Sequence, residues 1–321
     1  MSALGRCLSI DSQPLNYPVE STAMQGVLLL LPDFGLILLG WVLCRVLNVG
    51  DPFWSGLEKL VYFVLFPALL FNALARTHID FSAAAPLFVS GAAAVGCGIV
   101  FGLLARPLFG DDASAFASRF QCAFRFNSYI GLAVLGKLHG AAGLAAMGLL
   151  IGAMVPLVNF AAVYMLARNG KLGLWREMVR NPLILATLTG FLFSLSGLTL
   201  PDTAAHFLGR LGEAAITLGL LAVGAALKLR GSSGSTAASC YLLAVKLLLV
   251  PAVALLAASS LGLRGVYFDT AVLFGALPTA TSAYILAVRM GGDGPGVAWL
   301  ISANTLAAML TLPIWLSIAL R

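Results

Sequence analysis

Two short polar runs interrupt apolar stretches of this sequence, one reading Phe124-Arg125-Phe126-Asn127-Ser128-Tyr129-Ile130-Gly131, the other Gly275-Ala276-Leu277-Pro278-Thr279-Ala280-Thr281-Ser282-Ala283-Tyr284. Pro278 has no amide hydrogen, and its ring clashes with the carbonyl four residues back. It therefore breaks its helix and frees backbone polar groups. In hydrocarbon each unsatisfied group costs several kcal/mol, so such backbone must face protein or a water-filled cavity. The hydroxyls of Thr279, Thr281 and Ser282 can cover some of the freed groups. Where two broken helices meet, half-helix N-termini aim at the centre, each favouring an anion by about 0.3–1 kcal/mol and up to ~2 when partly buried. A small carboxylate is the natural guest, with Asn127, Ser128, Thr279, Thr281 and Ser282 to coordinate it and Pro278 to shape the break.

Arg125 is the sharpest single residue. A cation at the bilayer centre costs at least about 2.5–3.5 kcal/mol and is retained there chiefly for function. It binds the guest's carboxylate, neutralises an internal acid such as Asp33 or Glu213, or sits at an interface if its segment begins later. Lys246 carries the same alternatives, with snorkelling the favoured one because its stem is long. Asp33 and Glu213 are candidates to carry a proton or pair with Arg125, with Asn72 and Asn304 as candidate coupling partners. Buried amides such as Asn72, Asn159 and Asn304 more often staple helices together than touch a ligand.

The elements that position these residues follow from composition. The chain has 321 residues, 60% hydrophobic and 10% charged, with 19 basic and 13 acidic side chains and a formal charge of +6. A soluble domain carries roughly 25% charge. A mean hydropathy of +0.98 leaves too little polar surface to coat a body in water, so an all-α integral membrane protein is expected. Apolar segments fall at 24–48, 54–76, 84–106, 115–138, 140–167, 181–199, 204–228, 238–262, 266–290 and 295–320, each long enough to cross a bilayer or nearly so. Breakers such as Gly50-Asp51-Pro52, Gly110-Asp111-Asp112, Asn169-Gly170 and Pro201-Asp202 separate them. Residues 1–23 read as a disordered extension, with Met24 an alternative start.

Lys and Arg flanking the odd-numbered connectors number eleven, against six on the other side. By the positive-inside rule this puts both termini outside and the 168–180 loop in the cytosol of a multi-pass plasma-membrane (bacterial inner-membrane) protein. The basic residues are scattered singly, so the positive charge reads as topology and not as nucleic-acid binding. Cys7, Cys44, Cys97, Cys122 and Cys240 never approach within 25 positions of one another, and the three histidines have no second ligand nearby. Neither a metal nor another cofactor is expected. Phosphate-cradling, nucleophile-elbow, zinc-protease and dinucleotide motifs are all absent, so the expectation is no enzyme.

The 168–180 loop divides the segments five and five, a first repeat over 24–167 and a second over 181–321. Asn127-Ser128-Tyr129-Ile130 precedes Ser282-Ala283-Tyr284-Ile285 by 155 positions, and Pro156 precedes Pro313 by 157. An odd number of crossings per copy inverts the second copy, the architecture of secondary carriers whose site lies at the membrane midplane.

These segments resemble the auxin efflux carrier family, bacterial type. The resemblance rests on Leu65-Phe66-Pro67-Ala68-Leu69-Leu70-Phe71, on Phe124 to Leu132, on Asn181-Pro182 and on Leu277 to Tyr284. It implies ten transmembrane helices in two inverted five-helix repeats with crossed, broken helices four and nine, similar to bile-acid and sodium/proton carriers. It implies transport of small carboxylates: malate, malonate, lactate or auxin-like anions. Asn127 matches the family's crossing asparagine. Ser282 stands where many members carry a second Asn, and the fourth segment lacks the proline found in plant members, so its break should be milder. The expected function is an alternating-access efflux carrier for a small organic anion. A channel-like facilitative pore is the alternative, and a membrane receptor or intramembrane enzyme a distant third. The sequence leaves open which carboxylate moves, in which direction, whether protons or sodium are coupled, and whether a homodimer forms.

Overall fold

The computed structural model describes residues 19–76, 81–110, 112–167, 182–228 and 235–320. Among them every regular element is helical. In chain order these are α1 (Val19–Arg45), α2 (Asp51–Ala75), α3 (Phe81–Phe109), α4 (Ala113–Phe120), α5 (Ser128–Ala167), α6 (Pro182–Leu195), α7 (Asp202–Ala225), α8 (Thr236–Ser260), α9 (Gly265–Ala276), α10 (Ser282–Arg289) and α11 (Gly294–Ala319). The extension expected over 1–23 is helical from Val19 onward. Its earlier part, the loop 168–180 and Asn181 lie outside the described residues.

Among the described residues six stretches are long and apolar enough to cross a membrane: within α2, α3, the α4–α5 region, α7, α8 and α11. Large apolar side chains stand outward along them, among them Phe63, Leu256, Leu310 and Ile314, each more than half exposed. A water-soluble body does not leave such a belt uncovered, whereas hydrocarbon solvates it.

Local chemistry sets the helix ends. Asp112 accepts from the amides of Ser114 (2.9 Å) and Ala115 (3.1 Å) and opens α4, and Asp293 accepts from Gly296 (2.9 Å) to open α11. Gly140, at φ 57°, bends α5 where the sequence placed a connector. Widened π turns interrupt α2 at Val61–Leu65 and α8 at Val245–Leu249. Each ends two residues before a proline, Pro67 or Pro251, and a wide turn accommodates a ring that would strike an ordinary one.

α1 packs on α7, and α2 packs on both α6 and α7. Closeness at the first contact depends on bare backbone: a Cβ on Gly40 would strike the Leu221 carbonyl, and one on Gly224 the Ile37 carbonyl. On the other flank α3, α8, α9 and α11 gather around the α4–α5 and α9–α10 breaks. Buried Phe120, Phe124, Phe126 and Phe274 fill this region, with the Phe126 and Phe274 rings 4.4 Å apart.

Candidate functional site: the crossing of two broken helices

α4 tightens into a 3-10 turn at Gln121–Ala123, runs non-helical through 124–127, and resumes as α5 at Ser128. α9 stops at Ala276, and α10 starts at Ser282 after a non-helical 277–281. The two interruptions touch. The Asn127 amide donates to the Pro278 carbonyl at 2.8 Å, and the Thr279 hydroxyl donates to the Cys122 carbonyl at 2.7 Å. Gln121 adds a side-chain bond to the Ala283 carbonyl at 3.1 Å. Each break thus satisfies backbone groups freed by the other, which is how interrupted helices persist inside a membrane protein.

Asn127 is 2% exposed. Its Oδ1 accepts from the amides of Tyr129 (3.0 Å) and Ile130 (3.3 Å), capping α5. Its Nδ2, a buried donor, has no hydrogen-bond partner. Part of the amide dipole expected to face a guest is therefore closed by the residue's own oxygen, and the donor offered instead is the side-chain NH2.

Arg125 is buried at the same point. Its guanidinium donates to Ser282 Oγ at 2.9 Å and to Asn159 Oδ1 at 2.7 Å, bridging α10 and the second half of α5. The two acids that sequence reasoning offered as its partners are elsewhere. Asp33 pairs with Lys137 at 2.6 Å, and Glu213 is exposed on α7. The Arg125 side chain itself is buried within the crossing.

These residues wall a cavity of about 140 Å³, closed further by Tyr62, Ser128, Thr281 and Ser282. Tyr129 also faces it and stacks on Phe66, rings parallel at 4.5 Å. Thr281 is shared with a second cavity of about 220 Å³ lined by Asp51, Glu58, Lys228 and Tyr284. Lys228 sits over the Tyr284 ring at 4.6 Å. Asp51 and Lys228 border connectors on one face of the molecule, so the two cavities step from that face toward the crossing.

Two expected ligands stand apart from the cavity wall. Thr279 is fully buried with its hydroxyl committed to Cys122, and Pro278 contributes a carbonyl to Asn127. Asn304 donates to the Leu300 carbonyl within α11, and Asn72 is half-buried on α2; neither lines the cavity. Sequence reasoning gave Asn159 a stapling role, and the structure puts it on Arg125. It missed Tyr62, whose only signal is its place in the turn loosened ahead of Pro67.

Polar side-chain pairs brace the crossing at both ends. Arg119, 1% exposed, donates twice to Asp293, at 2.9 and 2.7 Å, tying α4 to the start of α11. His139, beside the Gly140 bend, meets Asp269 of α9 at 2.7 Å.

Residues 165–316 match the sequence family described as membrane transport protein. A protein named "Uncharacterized transporter" from Methanothermobacter thermautotrophicus is 28% identical over 287 residues, covering 87% of this chain and 94% of its own. A "Putative malonate transporter" of Rhizobium meliloti is also 28% identical over 287 residues, covering 82% of this chain and 86% of its own. A "Probable auxin efflux carrier component 1b" of Oryza sativa subsp. japonica is 31% identical over 120 residues, 35% of this chain and 22% of that one. The chain thus shares most of its length with a bacterial and an archaeal relative named as transporters.

Proposed function

We propose that this membrane transporter is a secondary carrier that moves a small organic anion by alternating access, with the guest bound where the two interruptions cross. The observation that carries the reading is the unpartnered Asn127 Nδ2, a buried donor beside the Arg125 guanidinium in one cavity. A buried donor without a partner costs about 1–3 kcal/mol, which an incoming carboxylate oxygen would recover. The α10 N-terminus at Ser282, uncapped by a side chain, adds a favourable dipole. The name of the Rhizobium relative favours a dicarboxylate such as malonate as the first guest to test. Malate, lactate and auxin-like acids follow.

A ten-span, five-plus-five inverted repeat is the architecture we infer around this site, counting α4 with the first half of α5, and α9 with α10, as the crossed spans. The packing supports it. α1 meets α7 as α6 meets α2, and α1 meets α11 as α6 meets α5. α1, α2, α6 and α7 would then form a scaffold against which the crossed unit moves.

Malonate uptake by liposomes containing the full chain tests the reading. It should saturate with concentration and fall at least about tenfold in Asn127→Ala, the loss of one buried charge-assisted hydrogen bond. Uptake rising linearly with concentration, or unchanged in the variant, would contradict it.

A further inference from the structure

Charge is sparse where the two interruptions cross. Among the described residues that line the cavity there, Arg125 is the single charged one. Asn127, Ser128, Asn159, Thr281 and Ser282 present neutral amides and hydroxyls, and Tyr62 and Tyr129 present phenols, uncharged at neutral pH. Helix ends add little net charge. α4 and α9 bring C-termini worth about −0.5 each, and α5 and α10 bring N-termini worth about +0.5 each, so the four nearly cancel.

The surroundings add no positive surplus. Arg119 is matched by Asp293 and Lys137 by Asp33, and His139 meets Asp269. In the adjoining cavity Lys228 stands against two acids, Asp51 and Glu58. Lys246, expected to snorkel, is instead 1% exposed, donates to the Gly275 carbonyl at 3.1 Å and lines neither cavity.

A carboxylate brought beside Arg125 completes a neutral pair. A second carboxylate on the same guest would be a buried charge with no counter-charge, and burial disfavours the ionised form of such a group. A neutral carboxyl suits the wall better, because its O–H needs an acceptor and one is present. Asn159 Oδ1 takes a bond from Arg125 and, as a carbonyl oxygen, has a second lone pair to offer.

We infer that the crossing takes its guest as a monoanion, so that a dicarboxylate such as malonate enters as hydrogen malonate, with its proton on the carboxyl away from Arg125. The inference rests on the anion-carrier reading and narrows its substrate class. Monocarboxylates bind as they stand. A dicarboxylate gains one O–H bond with a proton from solvent before it binds and returns that proton to solvent on release. Each passage of a dicarboxylate therefore moves a proton with it, held by the guest and not by a protein side chain.

Calorimetric titration of the purified full chain with malonate and with malonamate tests this. Malonamate has an amide in place of one carboxylate, keeps nearly the same shape, and stays a monoanion while malonate becomes a dianion. Above the second ionisation of malonate, affinity for malonate should fall about tenfold per pH unit, and binding should take up about one proton, read from the heats in buffers of different ionisation enthalpy. Malonamate should hold its affinity over the same pH steps and take up none. Malonate affinity that stays level with pH, or a malonate Kd below that of malonamate where malonate is fully ionised, would overturn the inference and leave the carrier reading standing. Both ligands weakening in parallel would put the titration on the protein and overturn it as well. Asn127→Ala should weaken both ligands, which places them at the crossing. Binding of both untouched by that substitution, or binding of neither at any pH, would sink the anion-carrier reading and the inference together.

Discussion

Asn127 divides its amide between structure and ligand. Its oxygen closes the α5 N-terminus, its backbone N–H closes Pro278, and only its NH2 remains for a guest. Asn127→Asp should therefore keep the cap and put a carboxylate in the anion's place. Malonate binding should vanish while Tm falls little; retained binding would move the site elsewhere. Arg125 differs because two of its partners, Ser282 and Asn159, offer neutral oxygens that a carboxylate can replace. Removing its charge-assisted bonds in Arg125→Met should weaken malonate binding by roughly tenfold to a hundredfold in calorimetric titration. Arg125→Lys should fall between, keeping charge but losing the planar fork. Sequence made Asn127 and Arg125 legible because a polar residue inside hydrocarbon must be explained. It did not reveal Asn159 as the partner of Arg125, since that contact depends on how the Gly140 bend folds α5 back across the break.

At the scale of elements, the crossing stands on bonds exchanged between two interruptions. Thr279→Val keeps the shape but strands the Cys122 carbonyl, a loss of about 1–3 kcal/mol that should appear as a lower Tm. An unchanged Tm would mean the two breaks are held by packing alone. The breaks themselves were readable, because Pro278 cannot continue a helix and Gly, Asp and Pro mark the connectors. The π turns were not, because a proline within a segment does not itself say whether the helix breaks, kinks or widens ahead of it. The pairing of Asp33 with Lys137 was equally hidden: the sequence supplies several buried charges and no rule for matching them. At the α1–α7 contact, Gly224→Val would drive a branched side chain into the Ile37 carbonyl. Overpacking of about 1–3 kcal/mol or more should show as a drop in Tm.

For the whole molecule, both cavities step inward from the face bordered by Asp51 and Lys228. Away from that face Lys137 of α5 is bonded to Asp33 of α1. This joins the proposed moving unit to the proposed scaffold, and alternating access requires the joint to open. With native cysteines replaced by serine, a cysteine at Leu138 should react faster with an impermeant maleimide in Asp33→Asn than in its Asp33 parent. Equal rates would show that the pair does not hold that side shut.

The most direct test asks whether the anion touches the crossing. Magic-angle-spinning NMR of the reconstituted full chain, with 13C-carboxylate malonate and 15N-labelled side chains, reads carboxylate-to-nitrogen dipolar couplings. Hydrogen-bond contact at about 2.7–3.2 Å predicts strong couplings to one asparagine amide and one guanidinium, the first lost in Asn127→Ser. Bound malonate that couples to neither, or whose asparagine coupling survives that substitution, would contradict the account.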